Sequence, residues 1–347
     1  MSPGATRIRV TGLGLTAPGV DRPDRALEIQ PDAPAGWFDT ATALPGRGYR
    51  RLPPGALYLL AAARAAWADR GPWIAAVPAA SRGAVVGTNN VGASLIEEFD
   101  RTIIDLGAAE LSPARAPYMA MSMFAARLAP EHELRAFDLT TNSPAVAGLD
   151  ALQAAARALA AGRASVVLAG AVEEPPAPVQ RLDHPRGSRA DGADPGAAFD
   201  AGAAVLVCEP AEESADGGFG YGHCSVRSAF LPEQDSDTVS AVLDALWDEL
   251  ADEGPPPARI DTVLDDSATG RAVAAWLGRR VTRGSITAVP TAPGGGCLTP
   301  VRRVLGRLAT PGENPARTAV LAASAHGHIS IADVTPTRQA LTSRHTL

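Results

Sequence analysis

Residues 138–174 read DLTTNSPAVAGLDALQAAARALAAGRASVVLAGAVEE. Three patterns follow one another in and around this stretch. Residues 136–141 are strand-like, residues 146–161 form a helix of very small side chains, and residues 166–172 are a β-branched, apolar run that suits a buried strand. Strand, turn, helix and strand make a βαβ unit, which implies a parallel sheet. The chain is therefore expected to be an α/β protein.

The helix has little polar surface. Val146, Leu149, Leu152, Ala156 and Leu159 keep a helical spacing, and only Asp150, Gln153 and Arg157 are sizeable polar residues before Arg163. Such a helix belongs inside a large core. Asn142-Ser143-Pro144 reads as a cap with proline near the first turn, and Gly162 as the stop. A buried helix N-terminus beside a strand end suits a nucleophile, because its N–H groups and dipole stabilise a thiolate. Here that position is Ala145, which can carry no such chemistry.

These residues resemble a known family. TTNSPAVAGLDAL followed by GRASVVLAGAVE is similar to the nucleophile segment of β-ketoacyl synthases, T-x-C-A-S-G-x-x-A-I and then a strand ending A-G-G-x-E. Aligning on Gly148, Ala151 and Leu152 places the family's cysteine at Ala145. The wording GLDAL and GAVE is closer to chain-length factors, the non-condensing partners of type II polyketide ketosynthases. Those usually carry glutamine at the cysteine position, so Ala145 departs from both patterns. The resemblance spans about residues 7–334. It implies a thiolase fold, layered αβαβα with two pseudo-duplicated halves, divided here as residues 1–209 and 210–347 within one compact unit.

The other catalytic positions of the family are also altered. Asp266 falls where the first histidine of a condensing enzyme would lie, and a carboxylate repels an enolate. The second histidine loop matches residues 290–297, where Pro290 replaces the lysine and Gly295 stands near the lost histidine. The resemblance thus implies vestigial positions at Ala145, Asp266 and Gly295 and no condensation by this subunit alone. It also implies a heterodimer with an active ketosynthase, serving an acyl carrier protein, in which this subunit shapes the acyl tunnel. The chain made could be a reduced or polyene one.

Residues 111–128 contain Met119, Met121 and Met123 within five positions. Methionine fills gaps and suits adaptable apolar surfaces. Core packing explains such a cluster by itself, but the family places this segment at the subunit boundary and in the tunnel. That marks Pro117, Tyr118, Met119, Met121, Ser122 and Met123 as tunnel or interface residues. On a helix, Tyr118 and Met121 would share one face. His326 and His328 would face one side of a strand; no third metal ligand stands nearby, and a structural or tunnel-proximal role is expected.

Composition narrows the remaining classes. The net charge of −7 gives nucleic-acid binding no electrostatic support, and all 31 basic residues are arginine, which excludes lysine chemistry. Cys208, Cys224 and Cys297 have no paired spacing and are expected to be buried, reduced thiols. No apolar run is long enough for a membrane span and no secretory leader is evident, so a cytoplasmic protein is expected. Gly12-Leu13-Gly14-Leu15-Thr16-Ala17 matches a dinucleotide fingerprint, but Pro18, Gly19 and Pro23 oppose the helix it needs. The stretch is read as a strand entering a glycine turn, with no cofactor and no metal. Two alternatives stay open. One is a stand-alone acyltransferase or hydrolase using Ser143 or Cys297; the other is a homodimeric binding scaffold.

Overall fold

A computed structural model describes residues 6–20, 22–28, 36–49, 51–175, 201–211, 220–231, 236–251, 254–281, 285–290, 296–310 and 316–337. The first half supplies β1 (Arg7–Thr16), α1 (Thr40–Ala43), α2 (Pro54–Arg70), β2 (Arg82–Thr88), α3 (Ala93–Asp105), α4 (Ser122–Ala126), α5 (Leu128–His132), β3 (Phe137–Asn142), α6 (Ala147–Ala160), β4 (Val166–Glu173) and β5 (Gly202–Pro210). The second half supplies β6 (Gly222–Phe230), α7 (Ser236–Ala251), β7 (Arg259–Leu264), α8 (Ala268–Arg280), β8 (Ile286–Pro290), α9 (Leu298–Ala309), β9 (Thr318–Ala323) and β10 (His328–Pro336).

The strands run in the order β3-β2-β4-β5-β1-β6-β10-β9-β7-β8. Split between β1 and β6, this is one pattern used twice. In each block the second strand is parallel to the third and the fourth, and the fifth returns antiparallel beside the first. β1 joins the blocks, because residues 7–10 also pair antiparallel with β6. Helix α6 meets β2 and β4 on one side and β6 on the other, with α9 beside it. Helix α2 covers the outside of the first block, and α7 and α8 cover the second. The layers are therefore αβαβα, the thiolase fold.

The sequence builds three cores. In β4, Val167, Ala169 and Ala171 enter the central core around α6 and α9, while Val166, Leu168 and Val172 enter the core under α2. That alternation is why β4 reads as an unbroken apolar run: both its faces are covered. On α7, Val239, Leu243, Leu246 and Leu250 form the third core with α8.

Gly12 and Gly14 lie inside a strand, just after a register shift between Val10 and Gly12, rather than in a turn. A Cβ on Gly14 would come within 1.9 Å of the Ala62 carbonyl oxygen, and one on Gly12 within 2.4 Å of that of Ala66. These glycines exist so that α2 can lie against β1, which corrects the turn and removes the fingerprint's geometry. Among the described residues no helix is long and apolar enough to cross a membrane.

Candidate functional site

The link from β3 to α6 is a tight elbow. Ala145 has φ 60°, and the Val146 N–H donates to the Pro144 carbonyl at 2.7 Å. A three-residue turn with positive φ at its centre is the rare, strained form of the γ-turn. An alanine there costs about 1–2 kcal/mol. Its surroundings hold it in place. Gly87 has no Cβ, and one built there would meet the Ala147 carbonyl at 2.4 Å, while the Thr141 hydroxyl donates to that carbonyl at 2.8 Å. Gly148 lets the first turn of α6 rest on the Cys297 carbonyl.

The expected cap is corrected here. Asn142-Ser143-Pro144 precedes the elbow, the helix starts after Val146, and no side chain caps it. The C-terminus follows the expectation. Gly162 has φ 66°, and the Arg163 N–H returns to the Ala158 carbonyl at 3.0 Å.

Ala145 is buried and presents a methyl group. Around it stand the C-terminal ends of three adjacent strands, where open α/β sheets place ligands. They bring Thr88, Asn89 and Asn90 from β2, Asn142 and Ser143 from β3, and Glu173 from β4. Glu173 is fully buried and accepts the Asn90 N–H at 2.9 Å and the Cys297 N–H at 2.8 Å. Its carboxyl group therefore sits at the N-terminus of α9. Glu174 faces the other side of the sheet, accepting the Gly55 N–H at 2.6 Å and the Ser94 hydroxyl at 3.2 Å. Burial raises its pKa, and burial together with the Glu174 charge pushes Tyr58 up to about 12.

The methionine segment is not one helix. Residues 116–119 form a 3₁₀ turn, Ala120 is extended, and α4 begins at Ser122. Tyr118 and Met121 therefore do not share a helix face: Tyr118 is buried against Phe124, and Met121 is half-buried with its sulfur 3.0 Å from Asn142 Nδ2. Pro117, Met119 and Ser122 are exposed and Met123 is half-buried.

Asp266 lies in the turn after β7 and is exposed. The neighbouring Asp265 shapes that turn by accepting the Ser267 N–H at 3.1 Å. His326 and His328 do not share a strand face. His326 is exposed in the β9–β10 turn, whereas His328 begins β10 and meets the Phe230 ring edge-on at 4.8 Å. No group of three metal-binding side chains occurs among the described residues. Gly295 lies outside the described residues.

Reasoning from sequence missed the Glu173–Glu174 pair, although two carboxylates closing an otherwise apolar strand were its signal. It also missed Asp150, which accepts the Ser228 hydroxyl at 2.6 Å and ties α6 to the second block. Burial raises the Asp150 pKa.

A profile of the beta-ketoacyl synthase N-terminal domain matches residues 33–219, more than half of the 347-residue chain. The chain belongs to the beta-ketoacyl synthase family. The turn at Ala145 lies within the matched residues. No curated protein sequence matches the chain. Three solved structures are similar in fold. A type II polyketide synthase acyl-carrier protein in complex with its ketosynthase bound to the hexaketide (AntDE:AntF) has TM-score 0.75 and 19% identity, covering 96% of this chain and 100% of the other. The ishigamide ketosynthase/chain length factor has TM-score 0.74 and 21% identity over 95% and 99%. A beta-ketoacyl synthase from Burkholderia phymatum has TM-score 0.73 and 16% identity over 96% and 100%.

Proposed function

We propose that this ketosynthase-family chain is a non-condensing, chain-length-factor subunit. It pairs with an active ketosynthase and forms one wall of the tunnel in which a type II polyketide chain grows on an acyl carrier protein. The observation that carries this is Ala145: a buried methyl group at the tip of the family's elbow cannot hold an acyl thioester. Asp266, at the aligned position of the first histidine, supports it, because a carboxylate does not stabilise an enolate.

The partner is supported by the first block's edge. β3 ends the strand order, and its Leu139 is 44% exposed. Met119 and, on α3, Ile96 and Ile103 are exposed apolar residues of the same half. An unpaired edge with exposed apolar side chains favours association with another chain.

The test is co-expression with a ketosynthase, followed by size exclusion and intact-mass analysis after incubation with acyl carrier thioesters. A 1:1 complex with acyl mass on the ketosynthase alone is expected. A stoichiometric adduct on Ser143 or Cys297 of this chain would overturn the proposal in favour of an acyltransferase or hydrolase.

A further inference from the structure

We infer that the second block carries a ligand site of its own, a cleft between β7, β8 and α8 that takes a small neutral molecule, apolar except for one hydroxyl or carbonyl oxygen. The cleft has a volume of about 410 Å³, the size of ordinary small-molecule sites. It is bordered by Thr262 and Leu264 of β7, Ala274 and Leu277 of α8, and Ile286 and Ala288 of β8. The site stands apart from the subunit role proposed above, because these residues belong neither to the elbow nor to the first block.

The internal repeat explains why the cleft exists. β7 and β8 hold the places in the second block that β2 and β3 hold in the first. Between β2 and β3 the chain lays α4 and α5 over the outer face, where Phe124, Ala125 and Leu128 join the core with Ala84 and Val86. Between β7 and β8 the described residues supply only α8. Its core side carries Val273, Trp276 and Leu277. Its flank toward β8 carries Ala274 and, one turn on, Gly278, where an added Cβ would meet nothing within 4 Å. Side chains this small do not cover the outer face of β8, and Ala288 is exposed there.

Thr262 gives the cleft its polar group. Ile260 enters the outer core and Val263 the central one, so Thr262 points outward with Ile260. The parallel register sets Ala288 beside it on the same face. Thr262 is 4% exposed, yet its hydroxyl has no hydrogen-bond partner among the described residues and is not sealed from the cleft. A hydroxyl held there can bond only to what enters. A ligand oxygen would complete its bonding, as acceptor or donor, while an apolar body covers Leu264, Leu277 and Ile286. Among the described residues no charged side chain borders the cleft, so an ionised ligand would lose its water without compensation.

The test measures n-octanol and octanoate by calorimetry on the full chain. Octanol should bind, and octanoate should bind at least about tenfold more weakly. Thr262→Val should weaken octanol about fivefold, the effect of one ordinary hydrogen bond. Ala288→Phe fills the space beside Thr262 from an exposed position and should abolish octanol binding in a folded chain, which decides the matter if Thr262→Val folds poorly. No binding of octanol, octanoate binding as tightly, or octanol binding unchanged in either folded variant overturns the inference.

Discussion

The Glu173 carboxylate accepts the Cys297 N–H at 2.8 Å, so the last residue of β4 in the first block holds the start of α9 in the second. Its other oxygen accepts the Asn90 N–H, so one buried side chain fixes both ends of the elbow's surroundings. Glu173→Ala would leave two backbone donors unsatisfied and should cost about 2–5 kcal/mol in chemical denaturation. Glu173→Gln keeps one acceptor oxygen and should cost less. Equal losses for the two variants would mean that packing, not the two bonds, sets the cost.

Ala145 should respond to substitution by conformation rather than chemistry. Ala145→Gly relieves the positive φ but adds freedom to the unfolded chain, so stability should change by no more than about 1 kcal/mol, toward stabilisation. Ala145→Val should lose more than about 2 kcal/mol, because a β-branched residue resists this conformation. Ala145→Cys should become alkylatable by iodoacetamide without gaining condensation. Polyketide formation by that variant with a ketosynthase lacking its own cysteine would disprove the non-condensing proposal.

The edge strand gives a binding prediction. Leu139→Arg places charge on an exposed apolar side chain of β3. The chain's own stability should stay within about 0.5 kcal/mol of wild type, while ketosynthase co-purification is lost. Retained co-purification would move the interface away from β3.

His132 predicts a pH dependence. Its ring is buried beside Trp67, with centroids 4.8 Å apart, and burial lowers its pKa to about 4. The unfolded chain binds this proton near pH 6.5, before the folded chain does. Stability should therefore fall as the pH drops from about 6.5 toward 4, by up to about 3 kcal/mol from this group. His132→Phe should flatten that part of the profile in urea denaturation at several pH values. An unchanged slope would assign the dependence to other groups.

Met121 tests chain length. Met121→Ala should lengthen the product made with a ketosynthase, and Met121→Trp should shorten it. The alanine variant removes only a half-buried side chain, so its cost should sit at or below the low end of the roughly 2–5 kcal/mol seen in full cores. Unchanged product length from both stable complexes would return the methionine to simple packing.

The central strand–helix–strand unit was legible without coordinates, and the family resemblance implied the layered fold around it. Residues 166–172 are a short β-branched run, and residues 146–161 before them keep a helical spacing. These signals are local, and burial on both faces makes them stronger. That position 145 is an alanine, with no nucleophilic group, was likewise readable, because it depends on residue identity alone.

What required the tertiary structure was everything set by contact between distant segments. Gly12 and Gly14 look like a turn until α2 is placed against them, since glycine serves both tight turns and close backbone approach. The cap-like Asn142-Ser143-Pro144 instead leads into the strained turn at Ala145, and Gly87 of β2 and Thr141 of β3 fix the first turn of α6 that follows. The methionine segment broke into two pieces at Ala120, and the outward face shared by Thr262 and Ala288 exists only through the β7–β8 register. Sequence by itself determined the central strand–helix–strand order and the unreactive side chain at Ala145, because those follow from local periodicity and residue identity. Only tertiary structure decided where Glu173 and Thr262 point, because a side chain's partners depend on which strands become neighbours.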